Sequence, residues 1–168
     1  MTTLTSEFGP HLMLDCRQCD KDKISDLQYV WNFIDTLPDK IGMTKITQPY
    51  VFPYEGLIPE DRGITGMVII AESHITFHSF VEKDYFFFDL FSCKPFDVNP
   101  VKQIVAEAFG VKDMEVHHAT RGRFFPRTVE ERHAATTEAS SVIQTITMTP
   151  PSFGNTHITE VELLSAVS

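Results

Sequence analysis

A group of polar side chains within one strand-like segment is the feature of this sequence best suited to chemistry. The segment Ala71–His78 carries a hydroxyl at Ser73 and imidazoles at His74 and His78, and a thiol follows at Cys93. Such groups can act as nucleophile, base and proton donor. Taken singly, each has a common structural role as a backbone-bonded hydroxyl, a half-buried imidazole or a small buried thiol. Only the combination indicates a reactive site.

Strand geometry restricts how these groups can meet. Alternation separates two sets of side chains, with Ser73, Ile75 and Phe77 on one face and Glu72, His74, Thr76 and His78 on the other. A regular strand therefore keeps Ser73 and His78 apart. We expect either a bend or bulge near Ser73 or a contact between the two residues across a turn of the chain.

The surrounding pattern predicts an α+β fold. Apolar periodicity and turn residues indicate strands at 11–16, 44–52, 63–80, 85–93 and 114–120, and helices at 24–37 and 100–109. Pro38 and Gly42 are expected to end the first helix. The order β-α-β-β-β-α-β predicts an α/β sandwich, in which an antiparallel sheet has helices on one face. The other face would be bare without a second copy, which favours a dimer.

Composition limits the classes of protein to consider. The chain has 168 residues, of which 42% are hydrophobic, and its formal net charge is −9. The acidic balance argues against nucleic-acid binding, which depends on clustered Lys and Arg. No apolar run approaches the ~20 residues of a membrane span, and we expect no signal peptide. With three cysteines and no secretion signal, we expect reduced thiols and a cytoplasmic protein.

The composition changes near residue 128. We predict a folded domain over residues 1–127 and a Ser/Thr-rich tail over residues 128–168. Two short motifs invite a metal or redox interpretation, namely Cys16-Arg17-Gln18-Cys19 and His117-His118. The first has no second pair at ligand spacing, and adjacent strand residues point to opposite faces, so we predict no metal.

Further residues extend the pattern around Ser73. In order they are Gly63-Ile64-Thr65-Gly66, Glu72-Ser73-His74, His78, Glu82, Cys93 and Arg121-Gly122. Over residues 9 to 125 this order resembles the short, prokaryotic-type S-adenosylmethionine decarboxylase proenzymes, a pyruvoyl-dependent family. The Glu-Ser-His-x-x-x-His element with its distant Cys is the most specific part of the resemblance.

The resemblance implies that the chain cuts itself between Glu72 and Ser73. Ser73 would attack the carbonyl of Glu72, and elimination of the resulting ester would convert residue 73 into a pyruvoyl cofactor. His78 would be the proton acceptor in this processing, and Thr65, where the family usually has Ser, would help to place the ester. The products would be a β chain of residues 1–72 and an α chain of residues 73–168.

The resemblance also implies the later chemistry. The pyruvoyl carbonyl would form a Schiff base with the substrate amine and act as an electron sink, with Cys93 as proton donor. Glu82 would hold the ribose hydroxyls, and Phe80, in place of the usual Trp, would lie beside the adenine. Phe52 and Tyr54 are candidates for its other side. Neither a metal nor pyridoxal phosphate is implied.

This resemblance predicts a homodimer of αβ protomers that decarboxylates S-adenosylmethionine for spermidine and polyamine biosynthesis. Two alternatives remain open, because the loop at residues 53–62 aligns poorly with the family. One is a pyruvoyl-dependent decarboxylase of ornithine or arginine. The other is a non-catalytic family member that serves as a binding or regulatory subunit.

Overall fold

The fold is seen in a computed structural model that describes residues 9–122 together with Phe125, Thr128 and Val129. The predicted tail therefore lies outside the described residues except for its first two positions. The helices are α1 (Lys21–Ser25), α2 (Leu27–Lys40) and α3 (Val98–Phe109). The strands are β1 (Gly9–Arg17), β2 (Tyr50–Tyr54), β3 (Gly63–Ile70), β4 (Ser73–Phe80), β5 (Tyr85–Phe91) and β6 (Asp113–Arg121). Two short 3₁₀ turns lie at Pro59–Asp61 and Val81–Lys83.

The six strands form one antiparallel sheet in the order β2-β3-β4-β5-β1-β6. The helices pack against one face of it, so the predicted α+β class is confirmed. Their apolar side chains meet those of alternate strand residues, as the period of two requires. The aromatic centre of this core consists of Phe33, Phe77, Phe86, Phe88 and Phe109.

The predicted segment at residues 63–80 is two strands rather than one. β3 and β4 form a hairpin whose turn is Ala71–Glu72, and the register runs from Ile70 opposite Ser73 to Thr65 opposite His78. The sequence predicted a continuous strand because neither turn residue is Gly, Pro, Asn or Asp. The sheet consequently has six strands instead of five, and the expected cleavage site lies at a hairpin turn.

The helix boundaries also differ from the prediction. The Asp26 carboxylate accepts from the Tyr29 N–H at 3.0 Å and caps the N-terminus of α2. The predicted first helix is therefore divided at Asp26 into α1 and α2. α2 continues through Pro38 to Lys40. A proline in the last turn removes one helical hydrogen bond and leaves the rest of the helix intact.

The predicted strand at 44–52 is displaced towards the C-terminus. Within residues 44–49, all of them described, the strand pairing is limited to an isolated bridge between Lys45 and Ile70. β2 begins after this segment and extends over Tyr50–Tyr54. Pro53 fits in β2 because this strand lies at the edge of the sheet, where a residue without an N–H is tolerated.

The face of the sheet away from the helices, called here the open face, carries large apolar side chains. Tyr50 is 67% exposed and Phe87 is 39% exposed. The other members of this apolar group are Phe52, Tyr54, Met67 and Ile69. A contiguous apolar patch of this kind is typical of an interaction surface. No helix among the described residues is long and apolar enough to span a membrane.

Candidate active site

Glu72, Ser73 and Cys93 lie in contact and are called here the cleavage cluster. The Ser73 hydroxyl donates to the carbonyl oxygen of Glu72 at 2.5 Å, and the Cys93 N–H donates to Ser73 Oγ at 2.9 Å. The Cys93 thiol donates to the same Glu72 carbonyl oxygen at 2.7 Å, and its Sγ lies 3.3 Å from Ser73 Oγ. A hydroxyl thus lies beside the carbonyl that it would attack, and a second donor polarises that carbonyl.

The end of β5 positions Cys93 in this cluster. The Ser92 N–H donates to the Pro10 carbonyl at 3.1 Å, and the Lys94 N–H donates to Ser92 Oγ at 3.0 Å. β1 approaches so closely that a Cβ on Gly9 would lie 1.9 Å from the Ser92 carbonyl oxygen. Glycine is therefore required at position 9, and the chain around Cys93 is held on both sides.

His74 follows Ser73 in the chain and has no role in the chemistry that the family resemblance implies. It lies on the open face, with its ring centroid 5.9 Å from that of Phe91. Partial burial, followed by the nearby His11 and Arg121, lowers the pKa of His74, and Asp89 opposes this shift. The imidazole beside the cleavage site is therefore kept neutral more strongly than a free histidine.

Thr65 and His78 form a pair across the β3–β4 hairpin. They are register partners, and Thr65 Oγ1 is hydrogen-bonded to His78 Nδ1 at 3.2 Å. A threonine hydroxyl can rotate to serve either tautomer of the imidazole, so the pair can orient the ring in both. Both residues are predicted to act in processing, and the structure brings them together.

Phe80 and Glu82 lie near this pair, where β4 leads into the second 3₁₀ turn. The Phe80 ring packs edge-on against Phe87 at 5.8 Å between centroids. The Glu82 carboxylate, 41% exposed as a side chain, accepts from the Arg62 guanidinium. Arg62 was missed in the sequence because a single charge in a loop is normally a solvated one. The residues Thr65, His78, Phe80 and Glu82 are called here the histidine cluster.

The cleavage cluster and the histidine cluster lie at opposite ends of β4. Five residues separate Ser73 from His78, and strand geometry makes this roughly 16 Å. The register of β4 with β3 and β5 is unbroken over His74–His78. Within β4, which is described throughout, we therefore find neither the expected bend or bulge nor a turn that would bring Ser73 and His78 into contact. The alternation into two faces is as predicted, since Phe77 is buried and His78 is exposed.

The two metal-like motifs lie in different surroundings, one in the core and the other on an exposed strand. Cys16 and Cys19 are free thiols in the core, and burial raises the pKa of Cys19 to about 12 and that of Cys16 further. Thiols in this state are poor nucleophiles and poor metal ligands. His117 lies near Asp15 and Glu115 in an exposed acidic group, while His118 belongs to the opposite face.

Comparison with known proteins places the chain in a family. The profile of the S-adenosylmethionine decarboxylase family matches residues 10–122. A proenzyme of that name from Anoxybacillus flavithermus is 30% identical over 116 residues, covering 68% of this chain and 88% of the relative. The Thermotoga petrophila proenzyme is 31% identical over 121 residues, covering 70% and 86% of the two chains. The chain therefore belongs to the S-adenosylmethionine decarboxylase family.

A solved structure agrees with the fold. The adenosylmethionine decarboxylase of Aquifex aeolicus superposes with a TM-score of 0.58 at 21% sequence identity. The match covers 68% of this chain and 91% of the Aquifex chain. The family domain thus corresponds to the described sheet and helices.

Proposed function

We propose that this chain is a self-processing, pyruvoyl-dependent decarboxylase that converts S-adenosylmethionine to decarboxylated S-adenosylmethionine, the aminopropyl donor for spermidine. The cleavage cluster is the observation that carries the proposal. Its hydroxyl, peptide carbonyl and thiol are in mutual contact at distances of 2.5–3.3 Å. Family membership supports the substrate, because the relatives are named for that reaction.

Self-cleavage begins at the Ser73 hydroxyl. Oγ attacks the carbonyl carbon of Glu72, an ester bond forms, and the peptide C–N bond breaks as the nitrogen of residue 73 takes a proton. The Cys93 thiol, which donates to that carbonyl oxygen, stabilises the negative charge that develops on it. A base then removes the Cα proton of residue 73, and the Glu72 carboxylate leaves. Water hydrolyses the resulting dehydroalanine to a pyruvoyl group and ammonia.

His78 is the proposed base, and it acts on a second copy of the chain. Within one chain the roughly 16 Å along β4 is too far for a direct proton transfer. A two-fold dimer that buries the open faces against each other can bring the histidine cluster of one protomer to the end of its partner's β4 where residue 73 begins the strand. The exposed apolar group of the open face supplies the surface for this contact.

The mature site uses residue 73 as its cofactor. The pyruvoyl carbonyl supplies an electron sink for loss of carbon dioxide from the substrate's α-carbon. Because Cys93 Sγ contacts the atoms of residue 73, it is positioned to return a proton to that carbon. Cys93 is only 8% exposed, which keeps bulk water from competing with it.

The nucleoside part of the substrate is assigned to the histidine cluster. The Phe80 ring offers an apolar face to the adenine, and Phe52 or Tyr54 on β2, beyond the intervening β3, would cover its other side. Glu82 accepts hydrogen bonds from the ribose hydroxyls. In the proposed dimer this pocket lies over the partner's cleavage cluster, where the amino-acid part of the substrate reacts.

The substrate assignment is tested by carbon dioxide release from the purified full chain. Carboxyl-labelled S-adenosylmethionine, ornithine and arginine are supplied in separate reactions at equal concentration. We expect release from S-adenosylmethionine alone, because only this substrate uses both the aromatic residues and Glu82. Release from ornithine or arginine would identify another pyruvoyl decarboxylase, and a cut chain inactive on all three would contradict the proposed function.

A further inference from the structure

The carboxylate assigned to the ribose is paired with an arginine that no sequence motif predicted. The Arg62 guanidinium donates to Glu82 Oε1. The backbone holds the two residues together as well, because the Val81 N–H donates to the Arg62 carbonyl at 3.1 Å. Side-chain and backbone contacts therefore hold Arg62 and Glu82 together at the open end of the β3–β4 hairpin.

A second ion pair lies beside the first. The Lys83 ammonium donates to Asp61, so that consecutive residues of one segment bind consecutive residues of the other. The Lys83 ammonium also lies 5.6 Å from the centroid of the Phe80 ring. The carboxylate of Glu82 is thus presented within a neutral arrangement of two acids and two bases.

This pairing changes which ligands Glu82 can accept. A free carboxylate attracts an ammonium or guanidinium group, whereas the Glu82–Arg62 pair as a whole has no net charge and attracts such a group less. It keeps lone pairs for hydroxyl donors, because a carboxylate has about four acceptor positions. A ligand cation placed at Glu82 would also lie close to the Arg62 guanidinium and be repelled by it.

Resting on the proposed function, we infer that Arg62 is a specificity-determining residue that reserves Glu82 for the neutral hydroxyl pair of a nucleoside. It thereby excludes basic amino acids that would bring a second cationic group to the same place. The residue acts through Glu82 and takes no part in the reaction itself. Arg62 is 60% exposed as a side chain, and pairs of such exposure contribute little to stability, so its replacement leaves a folded protein.

The inference is tested by equilibrium binding to the full-length protein, independently of turnover. The probes are 5′-methylthioadenosine, which has the nucleoside without the amino acid, and ornithine and arginine. In Arg62→Gln we expect binding of ornithine and arginine to strengthen about tenfold, with methylthioadenosine weakened about threefold or less. Arg62→Lys, which restores the charge, should return the ratio towards that of the unaltered protein.

Lys83→Gln is the matched control, since it removes the same charge one residue from Glu82 and leaves the Arg62 pair in place. An equal change of ratio in Arg62→Gln and Lys83→Gln would overturn the inference, because general charge would then explain it. Unaltered protein that does not bind methylthioadenosine would also overturn it. Failure of the proposed function has a different signature, namely an uncut chain or no carbon dioxide from S-adenosylmethionine in the unaltered protein.

Discussion

Replacement of Ser73 by alanine is expected to leave the chain uncut and without decarboxylase activity. Alanine lacks the hydroxyl that lies 2.5 Å from the Glu72 carbonyl oxygen, so neither the ester nor the pyruvoyl group can form. Activity should fall to the uncatalysed rate, a loss of about 10⁶-fold or more for a typical enzyme. Denaturing electrophoresis and carbon dioxide release measure the two effects on one preparation.

The control for this variant is Thr76→Ala, which removes a hydroxyl from the same strand on the open face. It should be cut at Glu72/Ser73 like the unaltered protein. The Ser73 side chain is only half-buried, so the Ser73→Ala variant should fold. A Ser73→Ala chain that is still cut between residues 72 and 73 would contradict the assignment of the nucleophile.

Mixed dimers of two variants that are each deficient in self-cleavage are expected to regain cleavage. Ser73→Ala alone lacks the nucleophile, and His78→Ala alone lacks the base, which slows cleavage by about 10²–10⁴-fold. In a mixed dimer, the intact histidine cluster of the Ser73→Ala chain meets the intact Ser73 of the His78→Ala chain. About half of the His78→Ala chains should then be cut after co-expression in equal amounts, given random pairing in a two-fold dimer.

Intact mass identifies which chain has been cut, because the two substitutions differ in mass. Co-expression of Ser73→Ala with Cys93→Ala is the matched control, since both changes fall in the cleavage cluster and no mixed dimer contains an intact site. Cleavage there should not exceed that of Cys93→Ala alone. If the Ser73→Ala and His78→Ala pair remains uncut although mixed dimers form, His78 does not act across the dimer.

The fold was largely predictable because its signals are local. The alternation of Leu12, Leu14 and Cys16 in β1 and the apolar spacing of α3 each arise from one short stretch of sequence. The hairpin turn at Ala71–Glu72 was missed because its residues have no turn preference, and only pairing with neighbouring strands determines where the segment folds back.

The residues of the cleavage cluster and the histidine cluster were predictable from the sequence, but their arrangement in space was not. Family resemblance identified Ser73, His78 and Cys93 as a set, and strand alternation indicated that Ser73 and His78 could not share a face. Neither signal contains the pairing register of β4, so the unbroken separation of the two clusters along this strand required the structure. The Arg62–Glu82 pair likewise follows from the hairpin register, which places Arg62 beside Val81 once the turn is located.

Intact mass spectrometry of the unaltered protein under denaturing conditions tests the central claim most directly. We predict two fragments that separate between Glu72 and Ser73, with the one that begins at residue 73 carrying a pyruvoyl group in place of a free serine amine. Mild reduction should add two hydrogens to that fragment alone. A single chain that stays uncut on long incubation would contradict self-processing at Ser73 and, with it, the proposed cofactor.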